Sequence, residues 1–157
     1  MKAYRTAWLT VLIAGTFLAA CGPVRKSVFP PLVSVQQLQL SPDGHWRMQL
    51  RIQNNSYEDV KFTQVRLAMK VHGVAAGRIE SAIDLDIPAL SVDVADVHIM
   101  PSAPAARALS DGGQEVPYEL VGTVSGIPES DSKPRSFKVH SEQHWLSPMP
   151  GIPGTWR

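Results

Sequence analysis

The sequence has 157 residues, of which 44% are apolar and 7% aromatic, and it carries 15 Lys and Arg against 14 Asp and Glu. The apolar content excludes a wholly disordered chain. The balanced charge, without a basic run, argues against nucleic acid as a partner and against a surface held to anionic lipid by charge alone, because both need clustered Lys and Arg.

Residues 1–20 combine two cations, Lys2 and Arg5, with an apolar stretch that ends at Ala20. This pattern is typical of a secretory signal peptide, and it is too short and too one-sided for a good membrane-spanning helix. The remaining residues 21–157 are long enough for one domain with its own core.

The segment Leu18-Ala19-Ala20-Cys21 places the only cysteine of the chain at the end of this apolar stretch. It resembles the lipobox of bacterial lipoproteins, in which a thiolate serves as the nucleophile that receives lipid. The resemblance implies cleavage after Ala20 and a diacylglycerol anchor on Cys21, with acyl chains such as palmitate, so that the membrane is a partner through this lipid. Because Gly22 follows and not Asp, it also implies the outer membrane, with the protein facing the periplasm. An ordinary signal peptide or an uncleaved anchor is the alternative.

The rest of the chain divides by composition into three parts. Residues 22–31 contain three prolines, which restrict their own torsions and those of the preceding residues, so we predict an extended segment. With the lipid site it makes a lipidated tether over residues 21–32. A folded domain is predicted at residues 33–141, and an irregular tail rich in Pro and Gly at residues 142–157.

Alternating apolar and polar residues predict antiparallel strands along the domain. The clearest strand begins at Trp46, where every second residue is apolar as far as Ile52. The doubled Gln36-Gln37 shifts the phase of the first strand as a β-bulge would, and further slips are predicted after Phe62 and within the fifth strand. The predicted strands cover residues 33–40, 46–53, 60–71, 79–87, 92–99, 118–124 and 137–139.

Glycine and proline mark the connections between these strands. Pro42-Asp43-Gly44 is predicted as a turn, and Gly73 with Gly77 is predicted to bound another. One alanine-rich segment differs from the strands. Ser102 can cap a helix there, with a proline in its first turn, and the helix is predicted to end at Leu109.

The close spacing of the strands predicts an all-β sandwich or barrel. The order of the elements resembles the late-embryogenesis-abundant (LEA) type 2 family, also called the water-stress and hypersensitive-response domain, which occurs in some bacterial lipoproteins. The resemblance implies an immunoglobulin- or fibronectin-III-like β-sandwich of about seven strands with one short helix over residues 33–141. Where the family commonly has Asn-Pro-Asn, this chain has Asn54-Asn55-Ser56, whose side chains can build the same turn. The resemblance rests on residues 50–56, 60–62, 71–73, 87–88 and 118–124.

Groups that could carry chemistry are few, and we predict no catalytic, metal or cofactor site and no enzyme activity. His140 and His144 have the spacing with which a helix binds a metal, but their segment is predicted as extended and lacks a third ligand. Ser125 lies one position too late for a Gly-x-Ser-x-Gly nucleophile motif. The remaining groups are predicted to face solvent or to be scattered, namely Asp84, Asp86, Asp93, Asp96, His45, His72 and His98.

The tryptophans and the resemblance complete the sequence-based expectations. Trp46 is predicted in the core, and Trp145 and Trp156 of the tail are predicted to pack against the domain, with contact to a partner or to the bilayer as alternatives.

The resemblance implies a membrane-anchored periplasmic lipoprotein with a non-catalytic role in stress protection, such as desiccation, or in binding a protein client. The alternative is a subunit or assembly factor of a cell-envelope complex. No nucleic acid or small-molecule substrate is predicted.

Overall fold

The computed structural model describes residues 27–111 and 115–157, which form eight strands and one helix. The predicted signal peptide, residues 1–20, and the predicted lipid site, Cys21, lie outside the described residues. The elements are β1 (Leu32–Leu40), β2 (Trp46–Gln53), β3 (Val60–Val71), β4 (Val74–Ile87), β5 (Val92–Ile99), α1 (Ala103–Asp111), β6 (Val116–Pro128), β7 (Arg135–Leu146) and β8 (Thr155–Trp156).

Two four-stranded antiparallel sheets pack face to face. The first has the strand order β5-β2-β1-β8, and the second has the order β4-β3-β6-β7. Their inner faces enclose one apolar core, so the predicted all-β sandwich is confirmed. Within the described ranges, no helix combines the length and the apolar character needed to cross a membrane.

The period of two in β2 produces a central strand of the first sheet. Trp46, Met48, Leu50 and Ile52 are each at most 2% exposed, and the residues between them face outwards. Removing a side chain of this size from water contributes about 1.5–3 kcal/mol. Because β2 pairs with β1 on one side and with β5 on the other, this buried row anchors the whole sheet on the core.

Two of the predicted phase slips are confirmed, and one is wrong. The β1–β2 register shifts between Val35 and Gln37, and β3 shifts against both of its neighbours between Phe62 and Gln64. The register of β5 with β2, in contrast, is continuous, and Ala95 belongs to its buried row. Alanine is a weak apolar signal, which is why the continuous phase was missed.

The turn between β3 and β4 is shorter than predicted. It consists of His72 (φ 51°) and Gly73 (φ 77°), and two consecutive positive torsions are what a two-residue hairpin turn of the primed type requires. Gly77 therefore lies inside β4. The predicted turn before β2 is confirmed, since Gly44 N donates a hydrogen bond to Ser41 O at 3.0 Å.

The helix α1 begins where the sequence predicts. Ser102 Oγ accepts a hydrogen bond from Ala105 N at 3.3 Å and so caps the helix. The same hydroxyl donates to Ala75 O at 2.7 Å, which ties the start of the helix to β4. Ala105 and Leu109 are buried and fix one side of the helix against the core.

The C-terminal segment contains regular structure and corrects the prediction of an irregular tail. β7 continues to Leu146, and Thr155–Trp156 pairs with residues 38–39 of β1. Ser147 and Arg157 exchange backbone hydrogen bonds of 2.8 and 2.9 Å, so the segment folds back on itself as a hairpin. A two-residue strand among prolines and glycines has no period that a sequence pattern could reveal.

Buried polar groups hold the end of the sandwich at which the described chain begins. Asn54 Oδ1 accepts a hydrogen bond from Ser56 N at 2.9 Å, which confirms the predicted turn. Asn54 Nδ2 donates to Ile87 O at 3.0 Å and to Glu58 O at 2.9 Å. The buried Glu58 carboxylate accepts hydrogen bonds from Ser130 N and Ser130 Oγ at 3.0 and 2.9 Å. This stretch therefore joins the loops that follow β2, β4 and β6.

Candidate functional site

Two strand edges face each other along one side of the sandwich. β7 is the last described strand of the second sheet. β1 pairs with β8 only at residues 38–39, so residues 32–37 carry no further strand on that side among those described. β1 and β7 contact each other across the gap between the sheets. An uncovered edge offers backbone N–H and C=O groups to another extended chain.

The space between these edges is a groove of about 550 Å³, which we call the edge groove. Four basic or titratable side chains border it, and none of the described residues that line it is acidic. The lining residues are Pro30, Pro31, Leu32, Val33, Ser34, Arg51, Lys138, Val139, His140, Ser141 and His144.

Strand alternation determines which side chains of β7 reach the edge groove from each side. Val139 and Ser141 are buried on the inner face of the strand, whereas Lys138 and His140 are exposed on its outer face. Because β7 is the edge strand, Lys138, which pairs with Thr123 of β6, lies at the open margin of the outer face. The edge groove is therefore lined inside the sandwich by apolar side chains and Ser141, and it is basic at its mouth.

Tyr118 links the two sheets beside the edge groove. Its side chain is 4% exposed, and its hydroxyl accepts a hydrogen bond from Val35 N at 2.9 Å, so a residue of the second sheet satisfies an amide of the β1 edge. Its ring stacks on His144 with 5.5 Å between the ring centroids. Burial raises the pKa of the Tyr118 phenol, and the hydrogen bond from Val35 opposes this more weakly.

We expect alkaline pH to weaken the fold through Tyr118. Because burial raises its pKa above the value of about 10 in the unfolded chain, its contribution is complete below that pH and is lost as the pH rises through the folded pKa. Tyr118→Phe should lower the free energy of unfolding near neutral pH by about 1 kcal/mol, since Val35 N loses its acceptor. Tyr118→Phe should also make the free energy of unfolding fall less steeply at alkaline pH.

Denaturant titrations from neutral pH to about pH 11, which is above the ordinary tyrosine range, measure both effects. Tyr57→Phe is the matched control, because the Tyr57 side chain is 58% exposed. Wild type and Tyr118→Phe that lose stability equally steeply at alkaline pH would contradict the role assigned to this phenol.

Glu119 positions one of the basic groups of the edge groove. Its carboxylate lies 3.0 Å from Lys70 Nζ and 3.3 Å from His140 Nε2. The hydrogen bond from Lys70 is the main reason that the pKa of Glu119 is below its ordinary value, and His140 lowers it further. Exposed pairs of this kind add little stability, but the contact shows that the His140 ring lies beside the Glu119 carboxylate at the groove.

His140 and His144 do not act as a pair of metal ligands on a helix. Both lie on β7, and they contact different residues, since His140 approaches Glu119 and His144 stacks on Tyr118. Within residues 27–111 and 115–157, no three His, Cys, Asp or Glu side chains come together as a metal site would require. What the two histidines share is the edge groove.

The carboxylates considered from the sequence face water, as predicted. Asp84, Asp86, Asp93 and Asp96 are all exposed. Asp84 Oδ1 lies 2.9 Å from Lys61 Nζ, and the hydrogen bond between them is the main reason that the pKa of Lys61 is raised. Asp84 thus belongs to a surface ion pair, and Asp96 borders a hollow on the outer face of the first sheet.

Two histidines that the sequence left scattered are neighbours in the structure. The β2–β5 register sets His98 opposite Arg47, and the rings of His45 and His98 meet edge to face with 6.4 Å between centroids. Asp43 Oδ2 lies 3.3 Å from His45 Nδ1, and a hydrogen bond from the backbone N–H of His45 is the main cause of a lowered Asp43 pKa. Asp43, His45 and His98 all border a polar hollow of about 620 Å³ on the outer face of the first sheet.

The tryptophans divide between the core and the surface. Trp46 and Trp156 are 1% and 8% exposed, so both pack against the domain as predicted. Trp145 is 53% exposed on β7, opposite Pro117, and the prediction that it packs against the domain was wrong. Its position in β7 turns it away from the core, which the assumption of an irregular tail could not reveal.

Sequence reasoning missed two residues of the candidate site. Tyr118 was predicted in a strand without a partner for its hydroxyl, although a tyrosine in a buried row needs one. Lys138 alternates with buried neighbours as an ordinary outward residue does, and its sequence context does not indicate that β7 lies at an edge. A buried tyrosine was thus a detectable signal, whereas the edge lysine was not.

The sandwich matches a solved structure. The solution structure of AT1g01470 from Arabidopsis thaliana, a LEA-type protein, aligns with 87% of this chain and 94% of that chain, with 10% identity and a TM-score of 0.56. The two chains share a fold. At this identity the match shows the fold alone, so the β-sandwich expected from the resemblance is confirmed and membership of the family stays a prediction.

Two further solved structures align less well. A crystal structure of a protein from Archaeoglobus fulgidus has 10% identity and a TM-score of 0.43 over 74% of this chain and 96% of that chain. The X-ray structure of the Northeast Structural Genomics Consortium target SoR45 has 14% identity and the same TM-score over 78% of this chain and 89% of that chain. No family model matches the chain, and no curated protein matches its sequence.

Proposed function

We propose that this protein is a lipid-anchored, non-catalytic binding module of the bacterial cell envelope, which holds an extended acidic segment of another protein in the edge groove. The observation that carries the proposal is the pair of strand edges, β1 and β7, that face each other across a groove with a basic mouth. A segment entering there can add as a strand and fill the groove with alternate side chains.

The charge of the edge groove favours one kind of segment. Arg51, Lys138, His140 and His144 supply all the charged or titratable side chains among its described lining residues. Lysine on an exposed edge hinders pairing between two copies of the same chain, because the copies repel each other. An acidic segment meets attraction at the same place, so one set of side chains opposes self-association and selects the partner.

The N-terminal end of the groove limits where the segment can bind. Pro30 and Pro31 line this end, and proline has no N–H to offer to a neighbouring strand. The amide of Val35 is already bonded to Tyr118. The exposed margin of β7 is therefore the edge on which the segment would pair, with β1 forming the opposite wall.

The lipobox-like segment supports the location. A lipid on Cys21 would hold the module at a membrane of the cell envelope, and Gly22 favours the outer membrane facing the periplasm. The anchor makes the encounter with a neighbouring protein more frequent without adding a contact. A module with one defined groove suits a subunit or assembly factor with one partner, whereas general stress protection would involve many clients.

We test the proposal by crosslinking in intact cells. A photoreactive amino acid replaces Ser34, which lines the edge groove, and in a second strain it replaces Ala103, which is exposed on α1. We expect one discrete adduct from position 34 and none from position 103. Adducts of many sizes from both positions would favour general protection, and the absence of an adduct from position 34 would contradict the proposal.

A charge reversal tests the acidic character of the partner. Lys138→Glu places a like charge at the mouth of the groove and should reduce the adduct from position 34 several-fold. Lys133→Glu makes the same change of charge in the loop before β7, outside the groove lining, and should leave the adduct unchanged. Equal effects of the two variants on the adduct from position 34 would mean that the charge of the groove does not select the partner.

A further inference from the structure

Exposed apolar side chains gather at the end of the sandwich where the described chain begins. Of the ten large apolar side chains that are exposed in the described part of the protein, five lie at this end. Leu32 and Val92 flank Gln53 in one row of the first sheet, and Tyr57 and Leu90 belong to the loops after β2 and β4. We call the group the entry face, and it consists of Phe29, Leu32, Tyr57, Leu90 and Val92.

Hydrogen bonds from three backbone segments hold the entry face together around Ser56. The fully buried Ser56 hydroxyl accepts a hydrogen bond from Phe29 N at 3.0 Å, and Ser56 O accepts one from Leu90 N at 3.2 Å. Tyr57 N donates to Ser27 O at 3.0 Å, and the rings of Phe29 and Tyr57 meet edge to face with 6.0 Å between centroids. Three separate segments are thus fixed with their apolar side chains pointing to solvent.

Leu90 has a backbone conformation that a leucine seldom adopts. Its φ is 57°, in the left-handed region where glycine and asparagine are favoured and bulky side chains are strained. Its side chain is 62% exposed, so the leucine gains little from the core of its own domain in return. An apolar contact outside the domain would account for a leucine at this position.

The segment outside the described residues ends beside the entry face. The chain is clamped at Ser27 by Tyr57, and only residues 22–26 separate that clamp from Cys21. An extended chain spans at most about 3.5 Å per residue, so Cys21 lies within about 20 Å of Ser27. A lipid on Cys21 would therefore hold this end of the sandwich within about 20 Å of the bilayer.

We propose that the entry face is a membrane-seating surface, on which Phe29, Tyr57 and Leu90 rest in the interfacial region of the bilayer. The inference depends on the lipid anchor of the proposed function. The entry face shares Leu32 with the edge groove, but the three seating residues do not line that groove. Aromatic side chains favour the membrane interface, and a second apolar contact makes membrane attachment by acyl chains firmer. Seating fixes the orientation of the domain relative to the membrane, and therefore also the orientation of the edge groove.

The experiment uses the full chain, expressed in a bacterium and reconstituted into phosphatidylcholine vesicles, so that apolar contact is tested without net lipid charge. Leu90→Cys carries an environment-sensitive fluorophore on the entry face. Ile152→Cys is the matched control, because it is also exposed but lies in the hairpin beside Leu40, at the far end of β1. Lipidated Cys21 leaves the introduced thiol as the single labelling site.

We expect the label at position 90 to shift to the blue and to be quenched by spin-labelled lipid, and the label at position 152 to do neither. Vesicle flotation and the mass of the Cys21 peptide report separately on the anchor. A protein that floats with vesicles but has equal fluorescence at both positions overturns the seating surface and leaves the anchor intact. Loss of flotation with an unmodified Cys21 overturns both, and a blue shift that requires another protein overturns seating on lipid.

Discussion

Gly122→Ala is expected to lower the free energy of unfolding by about 3 kcal/mol, the upper end of the usual cost of overpacking a core. A Cβ at Gly122 would overlap the carbonyl oxygen of Arg66 and lie 2.9 Å from Leu67 Cα. Both atoms belong to the backbone of β3, which pairs with β4 on its other side. Because both are backbone atoms, rotating a side chain cannot relieve the overlap, and β3 and β6 must move apart.

Gly126→Ala is the matched control for this prediction. Gly126 lies on the same strand and is buried, whereas Gly122 is half-buried, and the nearest atoms to the added Cβ of Gly126 are Val60 Cγ1 at 2.8 Å and Phe62 Cδ1 at 3.0 Å. Side-chain atoms can move a few tenths of an ångström, so a cost of about 1 kcal/mol is expected. Urea titrations of both variants measure the difference, and a milder effect at position 122 than at position 126 would show that the β3–β6 contact is not tight.

The close packing at Gly122 also affects the edge groove. β6 lies between β3 and β7, so the distance at which β6 packs on β3 fixes where β7 stands. Val139, which lines the groove, pairs with Gly122 directly. A variant that still folds but displaces β6 is therefore expected to weaken binding at the groove as well as stability.

Local patterns allowed much of the fold to be predicted from the sequence. The strand from Trp46 and the bulge at Gln37 depend on residues within a few positions of each other, so alternation and a phase slip were enough. The cap at Ser102 is equally local. In contrast, β8 has no period of its own, and it exists because Trp156 meets a strand edge that other parts of the fold have placed there.

The candidate site could be predicted only in part, since it depends on which strands become edges. The sheet orders β5-β2-β1-β8 and β4-β3-β6-β7 are not sequential, and no residue pattern in β7 indicates that it is an edge strand. The bond between Val35 and Tyr118 joins residues 83 positions apart. Lipidation of Cys21 lies outside the described residues, so it stays a prediction that rests on the lipobox resemblance alone.

Asn54→Ala should cost about 3 kcal/mol, because several buried backbone groups lose their partners at once and each loss costs about 1–3 kcal/mol. The amide side chain accepts from Ser56 N and donates to Glu58 O and Ile87 O, with all three distances between 2.9 and 3.0 Å. Asn55→Ala is the control next in the chain. Its side chain is partly exposed and donates to Pro30 O at 3.2 Å, so little stability should be lost.

Asn54→Asp separates the donor function of this side chain from its shape. The carboxylate keeps an acceptor for Ser56 N but turns the donated bonds into contacts between its oxygens and the carbonyls of Glu58, Ile87 and Pro88. Near neutral pH it should therefore destabilise at least as much as alanine, since a buried charge with a single donor is costly. Burial and the facing carbonyls raise the pKa of the new carboxyl in the folded state above its unfolded value. Its deficit relative to wild type should then shrink as the pH falls, because the protonated acid can donate one bond again. An aspartate variant as stable as wild type near neutral pH, or one whose deficit does not change with pH, would mean that the loops after β2 and β4 are held by packing and not by this amide.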